Sequence, residues 1–111
     1  MSGYYQISTT VASDAEANRL ATTLIEERLA ACVQVSGPLH SVYRWKGEVS
    51  SATEWLCTAK TVAERLPEVL TRIKALHSYE QPEIIATPIT AGDQGYLDWL
   101  RQESTPGEEP R

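Results

Sequence analysis

Residues 74–100 of the chain read KALHSYEQPEIIATPITAGDQGYLDWL. Within this stretch the end of a helix, a polar junction, a short apolar strand and an aromatic-rich helix follow one another without a long gap. The junction carries four side chains with acid–base or ligand chemistry, which are His77, Tyr79, Glu80 and Glu83. We therefore expect any binding chemistry of this chain to involve the junction.

Proline and capping signals predict the elements on either side of the junction. Pro82 favours extended geometry in the residue before it, and a strand is predicted over residues 83–89. Asp93 is placed to cap the last helix. Upstream of the junction, apolar side chains at helical spacing predict a helix from about residue 65, with Pro67 in its first turn, where proline is tolerated.

The first half of the chain predicts a strand, a helix and a long hairpin. The elements are a strand over residues 4–11, a helix over 14–30, and two strands over 31–45 and 48–60. Ser13 and Glu16 form a capping box at the start of the first helix, and Thr61 and Glu64 repeat this pattern before the second helix. The two later strands are joined by a tight turn, and they are longer than the core of so small a domain requires.

The order of these elements predicts an α+β fold. It is β-α-β-β-α-β followed by a helix, which is the ferredoxin-like βαββαβ sandwich with an extended hairpin between its second and third strands and an added C-terminal helix. In this arrangement the first and third strands are central. Pro38 and Pro88 fall in the second and fourth strands, as expected for edge strands. The domain is predicted to cover residues 1–102, and residues 103–111, which have nothing to bury, are predicted to be a disordered tail.

The predicted topology also favours self-association. Both early helices cover one face of the sheet, which leaves the other face bare, and the long hairpin supplies an unpaired edge. Tyr43 and Trp45 add aromatic area on that hairpin. A homo-oligomer buries these surfaces, and a cyclic trimer is one natural closed arrangement.

Composition argues against several classes of partner. The net charge is −5 and the ten Lys and Arg residues are scattered, whereas nucleic-acid binding requires a clustered basic surface. No apolar stretch approaches the ~20 residues of a membrane span. The start of the chain lacks the pattern of a secretory signal, so a cytoplasmic location is expected. No catalytic triad, phosphate-binding glycine loop or dinucleotide fingerprint is present, so we do not expect an enzyme.

A set of short segments keeps a fixed order across residues 5–101. They are Glu27–Val33, Tyr43–Gly47, Lys60–Thr61, His77–Ile85, Gly92 and Tyr96–Leu100. Together these segments resemble the CutA family of divalent-cation tolerance proteins. The resemblance implies a ferredoxin-like trimer in which the hairpins of neighbouring subunits pair, similar in architecture to PII-type signalling proteins. It also implies binding of copper or another divalent cation and a role in metal tolerance.

The metal ligands proposed for this family are only partly present. Some members have a cysteine in the first strand where this chain has Thr9, and a second histidine where it has Leu76. His77 is then the remaining candidate metal ligand, with Glu80 and Glu83 as further candidates. One imidazole and carboxylates suit Cu(II) or Zn(II). The alternative role for His77 is to cap the C-terminus of the second helix.

Five further side chains are candidates for a ligand site in a cleft between subunits, namely Cys32, Tyr43, Trp45, Lys60 and Tyr79. Packing is the favoured role for the aromatic side chains and Cys32, and a salt bridge to Glu54 or Glu83 is favoured for Lys60. Cys57 alternates with other core positions and is predicted to be buried. The alternative function is a PII-like regulatory trimer that binds a small anion or metabolite in the cleft.

Overall fold

The elements follow one another along the chain in the predicted order. The computed structural model describes residues 3–106. Its strands and helices are β1 (Tyr4–Val11), α1 (Asp14–Glu26), β2 (Cys32–Trp45), β3 (Glu48–Val62), α2 (Leu66–Leu76), β4 (Ile84–Ile89) and α3 (Gln94–Glu103). A short 3₁₀ turn over Ala63–Arg65 leads into α2, and Pro67 lies in the first turn of that helix, as predicted.

The four strands form one antiparallel sheet in the order β2-β3-β1-β4. The prediction that the first and third strands are central is therefore confirmed. Pro38 and Pro88 lie in the edge strands β2 and β4, where proline is tolerated because an edge strand has one unpaired side. The β2–β3 ladder contains one irregularity, a register shift between Ser36 and Leu39.

The main core lies between the sheet and the pair of helices α1 and α2. It is formed by apolar side chains at alternate strand positions and along one stripe of each helix, among them Ile7, Val11, Leu20, Leu24, Val69 and Ile73. Cys57 belongs to this core and is 2% exposed, which confirms its predicted burial. Burial raises the pKa of the Cys57 thiol to about 11, so this cysteine is protonated and unreactive at neutral pH.

The second face of the sheet is less bare than the sequence suggested. Leu100 of α3 is fully buried outside the main core, and the Arg101 guanidinium lies 5.2 Å from the centre of the Tyr4 ring. The helix α3 therefore covers one end of this face. The predicted tail also begins too early, because Glu103 is still helical and Ser104 is fully buried. Residues 107–111 of that tail lie outside the described residues.

Two local predictions for the helix ends need correction. The helix α1 ends at Glu26 instead of residue 30, because Arg28 adopts a left-handed backbone conformation (φ 56°) that a helix cannot continue through. Thr61 does not cap α2. It lies within β3, and its hydroxyl donates a hydrogen bond to the Leu29 carbonyl (2.6 Å).

Thr9 offers a direct test of core energetics. It is 1% exposed, and its hydroxyl has no hydrogen-bond partner within residues 3–106. Leaving a buried hydroxyl unpaired costs about 1–3 kcal/mol. We expect Thr9→Val, which replaces the hydroxyl with a methyl group of similar size, to raise the free energy of unfolding by about 1–2 kcal/mol in urea denaturation.

The matched control is Thr61→Val, at a position that is equally buried but hydrogen-bonded. This variant leaves the Leu29 carbonyl without its hydroxyl donor, and we expect a loss of about 1–3 kcal/mol. If both valine variants shifted stability in the same direction, the hydrogen-bonding explanation for Thr9 would be wrong.

Candidate functional site

A cavity of 670 Å³ opens between the outer half of the β2–β3 hairpin and the junction that follows α2. We call it the acidic cavity. Its lining contains three aromatic residues and three carboxylates, which are Tyr43, Trp45, Tyr79, Glu54, Glu80 and Glu83. The other lining residues are small, polar or aliphatic, and among residues 3–106 no Lys, Arg or His lines the cavity. The cavity therefore has a negative electrostatic character.

Glu54 is the most buried carboxylate of the acidic cavity, with 7% of its surface exposed. The Tyr79 hydroxyl donates a hydrogen bond to Glu54 Oε2 (2.8 Å). Burial, and then this hydrogen bond, raise the pKa of Tyr79, so its phenol keeps the proton that it donates. Sequence analysis considered Glu54 only as a salt-bridge partner of Lys60. The available signal was a carboxylate in the interior of the predicted strand, between positions with apolar or small side chains.

His77 holds the junction against β1. Its Nδ1 accepts a hydrogen bond from the Tyr79 N–H (3.1 Å), and its Nε2 lies 2.8 Å from the Thr10 carbonyl oxygen. Since a carbonyl only accepts, Nε2 carries the ring proton and donates it. His77 is the C-terminal cap residue of α2, but its ring bonds to the backbone of strand β1 instead of to the last carbonyls of the helix.

Glu16 is a second tether of the junction, and sequence analysis missed this role. The Ser13 hydroxyl accepts the Glu16 N–H as the capping box predicts. The Glu16 carboxylate, however, accepts hydrogen bonds from the Ser78 N–H (3.1 Å) and the Ser78 hydroxyl (2.9 Å). Glu16 and His77 together fix the segment that carries Tyr79, Glu80 and Glu83.

The residues of one chain do not fit a copper centre. Both ring nitrogens of His77 already have hydrogen-bond partners, and Thr9 points into the core. Within residues 3–106, no three His, Cys, Asp or Glu side chains are grouped so that they could share a metal ion. A hydroxyl such as that of Thr9 is also a poor replacement for a soft thiolate ligand.

The five cleft candidates from the sequence, which are Cys32, Tyr43, Trp45, Lys60 and Tyr79, separate into two groups. The three aromatic residues line the acidic cavity. Cys32 and Lys60 are register partners at the other end of the hairpin, roughly 30 Å of extended strand away. The predicted salt bridge of Lys60 is wrong, because its ammonium group donates to Gln34 Oε1 (2.6 Å).

Comparison with known proteins identifies the family. The family model of the CutA1 divalent ion tolerance protein matches residues 5–103. The chain belongs to the CutA1 family. The divalent-cation tolerance protein CutA of Thermus thermophilus is 48% identical over 95 residues, which are 86% of this chain and 92% of the relative. The chloroplastic CutA of Arabidopsis thaliana is 39% identical, and the match covers 86% of this chain but 52% of that protein.

Solved CutA structures share the fold. The CutA1 structure from Thermus thermophilus superposes with a TM-score of 0.87 and 46% identity, covering 90% of this chain and 97% of that one. The CutA structure from Archaeoglobus fulgidus gives a TM-score of 0.88 and 39% identity over 92% of this chain and 99% of that one. The ferredoxin-like fold and the membership of the CutA family predicted from sequence are thus confirmed. These relatives are named as tolerance proteins, not as enzymes.

The expected cytoplasmic location does not hold for the CutA family as a whole. The Archaeoglobus fulgidus protein is described as periplasmic, and the Arabidopsis relative as chloroplastic. The prediction was wrong because location depends on targeting segments, whereas this fold is common to relatives in different compartments. Within residues 3–106, no helix is long and apolar enough to cross a membrane.

Proposed function

We propose that this CutA protein contributes to divalent-cation tolerance as a homotrimer that binds a cation in the acidic cavity. The observation that carries the proposal is the composition of the cavity, which in the described part of the chain has three carboxylates and no basic side chain in its lining. The same charge argues against the alternative, a regulatory trimer that binds a small anion in this cleft. We propose no enzymatic activity and no nucleic-acid or membrane partner.

Exposed apolar side chains support the assembly. Ile85, Tyr96 and Trp99 are 52%, 40% and 43% exposed, and the rings of Tyr96 and Trp99 lie 5.6 Å apart. On the hairpin, Tyr43 and Trp45 are 45% and 42% exposed beside the unpaired edge of β2. A second copy of the chain buries such surfaces, and cyclic closure by three copies leaves none of these interfaces open.

The assembly also determines which side chains can coordinate a metal ion. Because residues 3–106 of one chain contain no group of three ligands, we propose that a neighbouring subunit completes the set around Glu80 and Glu83. Carboxylate oxygens suit many divalent cations, whereas copper binding through His77 requires its ring to leave either Thr10 or Tyr79. Copper or another divalent cation is the only cofactor that we propose.

Light scattering and calorimetric titration test this proposal. We expect a particle of three 12.3 kDa chains that binds Cu(II) or Zn(II). Glu83→Gln should weaken the binding at least tenfold, or about 1.4 kcal/mol, because it removes one carboxylate charge. Glu48→Gln, which makes the same charge change outside the cavity, is the matched control.

Two results would contradict the proposal. If the protein were a monomer at micromolar concentration, the proposed assembly would be wrong. If Glu83→Gln and Glu48→Gln weakened metal binding equally, the acidic cavity would not be the metal site. His77→Gln adds a further comparison. A loss with this variant as large as that with Glu83→Gln, with no movement of the Tyr79 region in NMR spectra, would identify the imidazole as a ligand.

A further inference from the structure

The size of the acidic cavity exceeds what a bare metal ion requires. Its volume of 670 Å³ lies within the range of about 300–1,000 Å³ that is typical of small-molecule sites. Three of its lining residues are aromatic, namely Tyr43, Trp45 and Tyr79. Aromatic rings are not usual ligands for divalent metal ions, so these walls indicate an occupant with apolar surface.

The floor of the cavity provides one buried negative charge. Glu54 is 7% exposed, and the Tyr79 hydroxyl is the one donor within residues 3–106 that hydrogen-bonds to its carboxylate. That bond engages Oε2 and leaves Oε1 without a partner in the described part of the chain. Glu54 also has no salt bridge there. A buried carboxylate in this state favours a ligand that brings positive charge and N–H donors.

The aromatic walls suit the same kind of charge. The negative face of a Trp or Tyr ring attracts a cation within about 6 Å of the ring centre. The Lys46 ammonium already lies 5.7 Å from the Trp45 ring centre, although Lys46 does not line the cavity. The hairpin therefore shows that this ring accommodates a positively charged nitrogen.

We propose that the acidic cavity binds a small organic ammonium ion. Its N–H groups donate to Glu54 Oε1, and its alkyl part packs against Tyr43 and Trp45. This inference rests on the proposed cation-binding role of the cavity and adds a second class of cation to the divalent ions proposed above. Unlike a metal ion, such a ligand needs no group of three coordinating side chains, and the chain has none within residues 3–106.

Titration of the full-length protein with butylammonium chloride, followed by NMR, tests the inference. We expect saturable binding of butylammonium, and no binding of the neutral 1-butanol at the same concentration. Glu54→Gln retains an acceptor for Tyr79 but removes the charge, and it should weaken the binding at least tenfold. Glu48→Gln, with the same change in net charge, should bind as the wild type does.

A second variant covers the case in which Glu54→Gln does not fold. Trp45→Leu removes the ring but keeps an apolar side chain for the proposed subunit contact. With light scattering to confirm that the assembly is unchanged, this variant should weaken butylammonium binding several-fold. Equal binding of butanol and butylammonium, or wild-type affinity in either cavity variant, would overturn the inference. If divalent metal ions bound but butylammonium did not, only this inference would be overturned. If neither bound, the proposed cation site would be contradicted as well.

Discussion

Gly37→Ala is expected to lower the free energy of unfolding by about 2–6 kcal/mol. A Cβ atom at this position would lie 2.6 Å from Trp55 Cδ1 and 2.9 Å from Trp55 Cγ, distances at which something must move. Overpacking of this kind costs about 1–3 kcal/mol. The backbone φ of 155° adds strain of about 1–3 kcal/mol for a residue with a side chain. Urea denaturation at a fixed protein concentration measures the loss.

The control for Gly37 is Gly47→Ala in the hairpin turn. Gly47 also has a positive φ, of 83°, but a Cβ atom there would have no neighbour within 4 Å. This variant therefore shows the backbone strain alone, and we expect a loss of about 1–2 kcal/mol. Equal losses in the two variants would show that the contact with Trp55 carries no cost.

Glu16→Ala is expected to cost about 2–4 kcal/mol. The Glu16 side chain is buried, and it accepts two hydrogen bonds from Ser78, each of which is worth about 1.5–3 kcal/mol when one partner is charged. The substitution leaves the Ser78 N–H without its acceptor and releases one of the two tethers of the junction. Denaturation measures the loss, and NMR of the Tyr79 region shows whether the junction moves.

Asp14→Ala serves as the control for Glu16. Asp14 is another acidic residue in the first turn of α1, but it is exposed and accepts one hydrogen bond, from Asn18 (3.2 Å). We expect a loss of less than about 1 kcal/mol, which reports its interaction with the helix dipole. If Glu16→Ala cost no more than Asp14→Ala, the bonds to Ser78 would contribute nothing to stability.

The elements and their order were predictable because they depend on local patterns. Period-two alternation predicted the strands, apolar stripes predicted the helices, and Asp93 caps α3 as expected, accepting the Tyr96 N–H (3.0 Å). Pro38 and Pro88 indicated which strands are edges. These signals reflect the conformation of a few neighbouring residues, and each can be read without knowledge of the rest of the chain.

Tertiary structure decided which side chains form the site. His77 bonds to a residue 67 positions away, Ser78 to one 62 positions away and Tyr79 to one 25 positions away. No periodic pattern records such pairs, because they depend on how separate elements pack. The sequence alone thus determined the fold and drew attention to the junction. Only packing could turn Glu16 from a capping residue into a tether, and bring the Tyr79 hydroxyl of the junction to Glu54 of the hairpin.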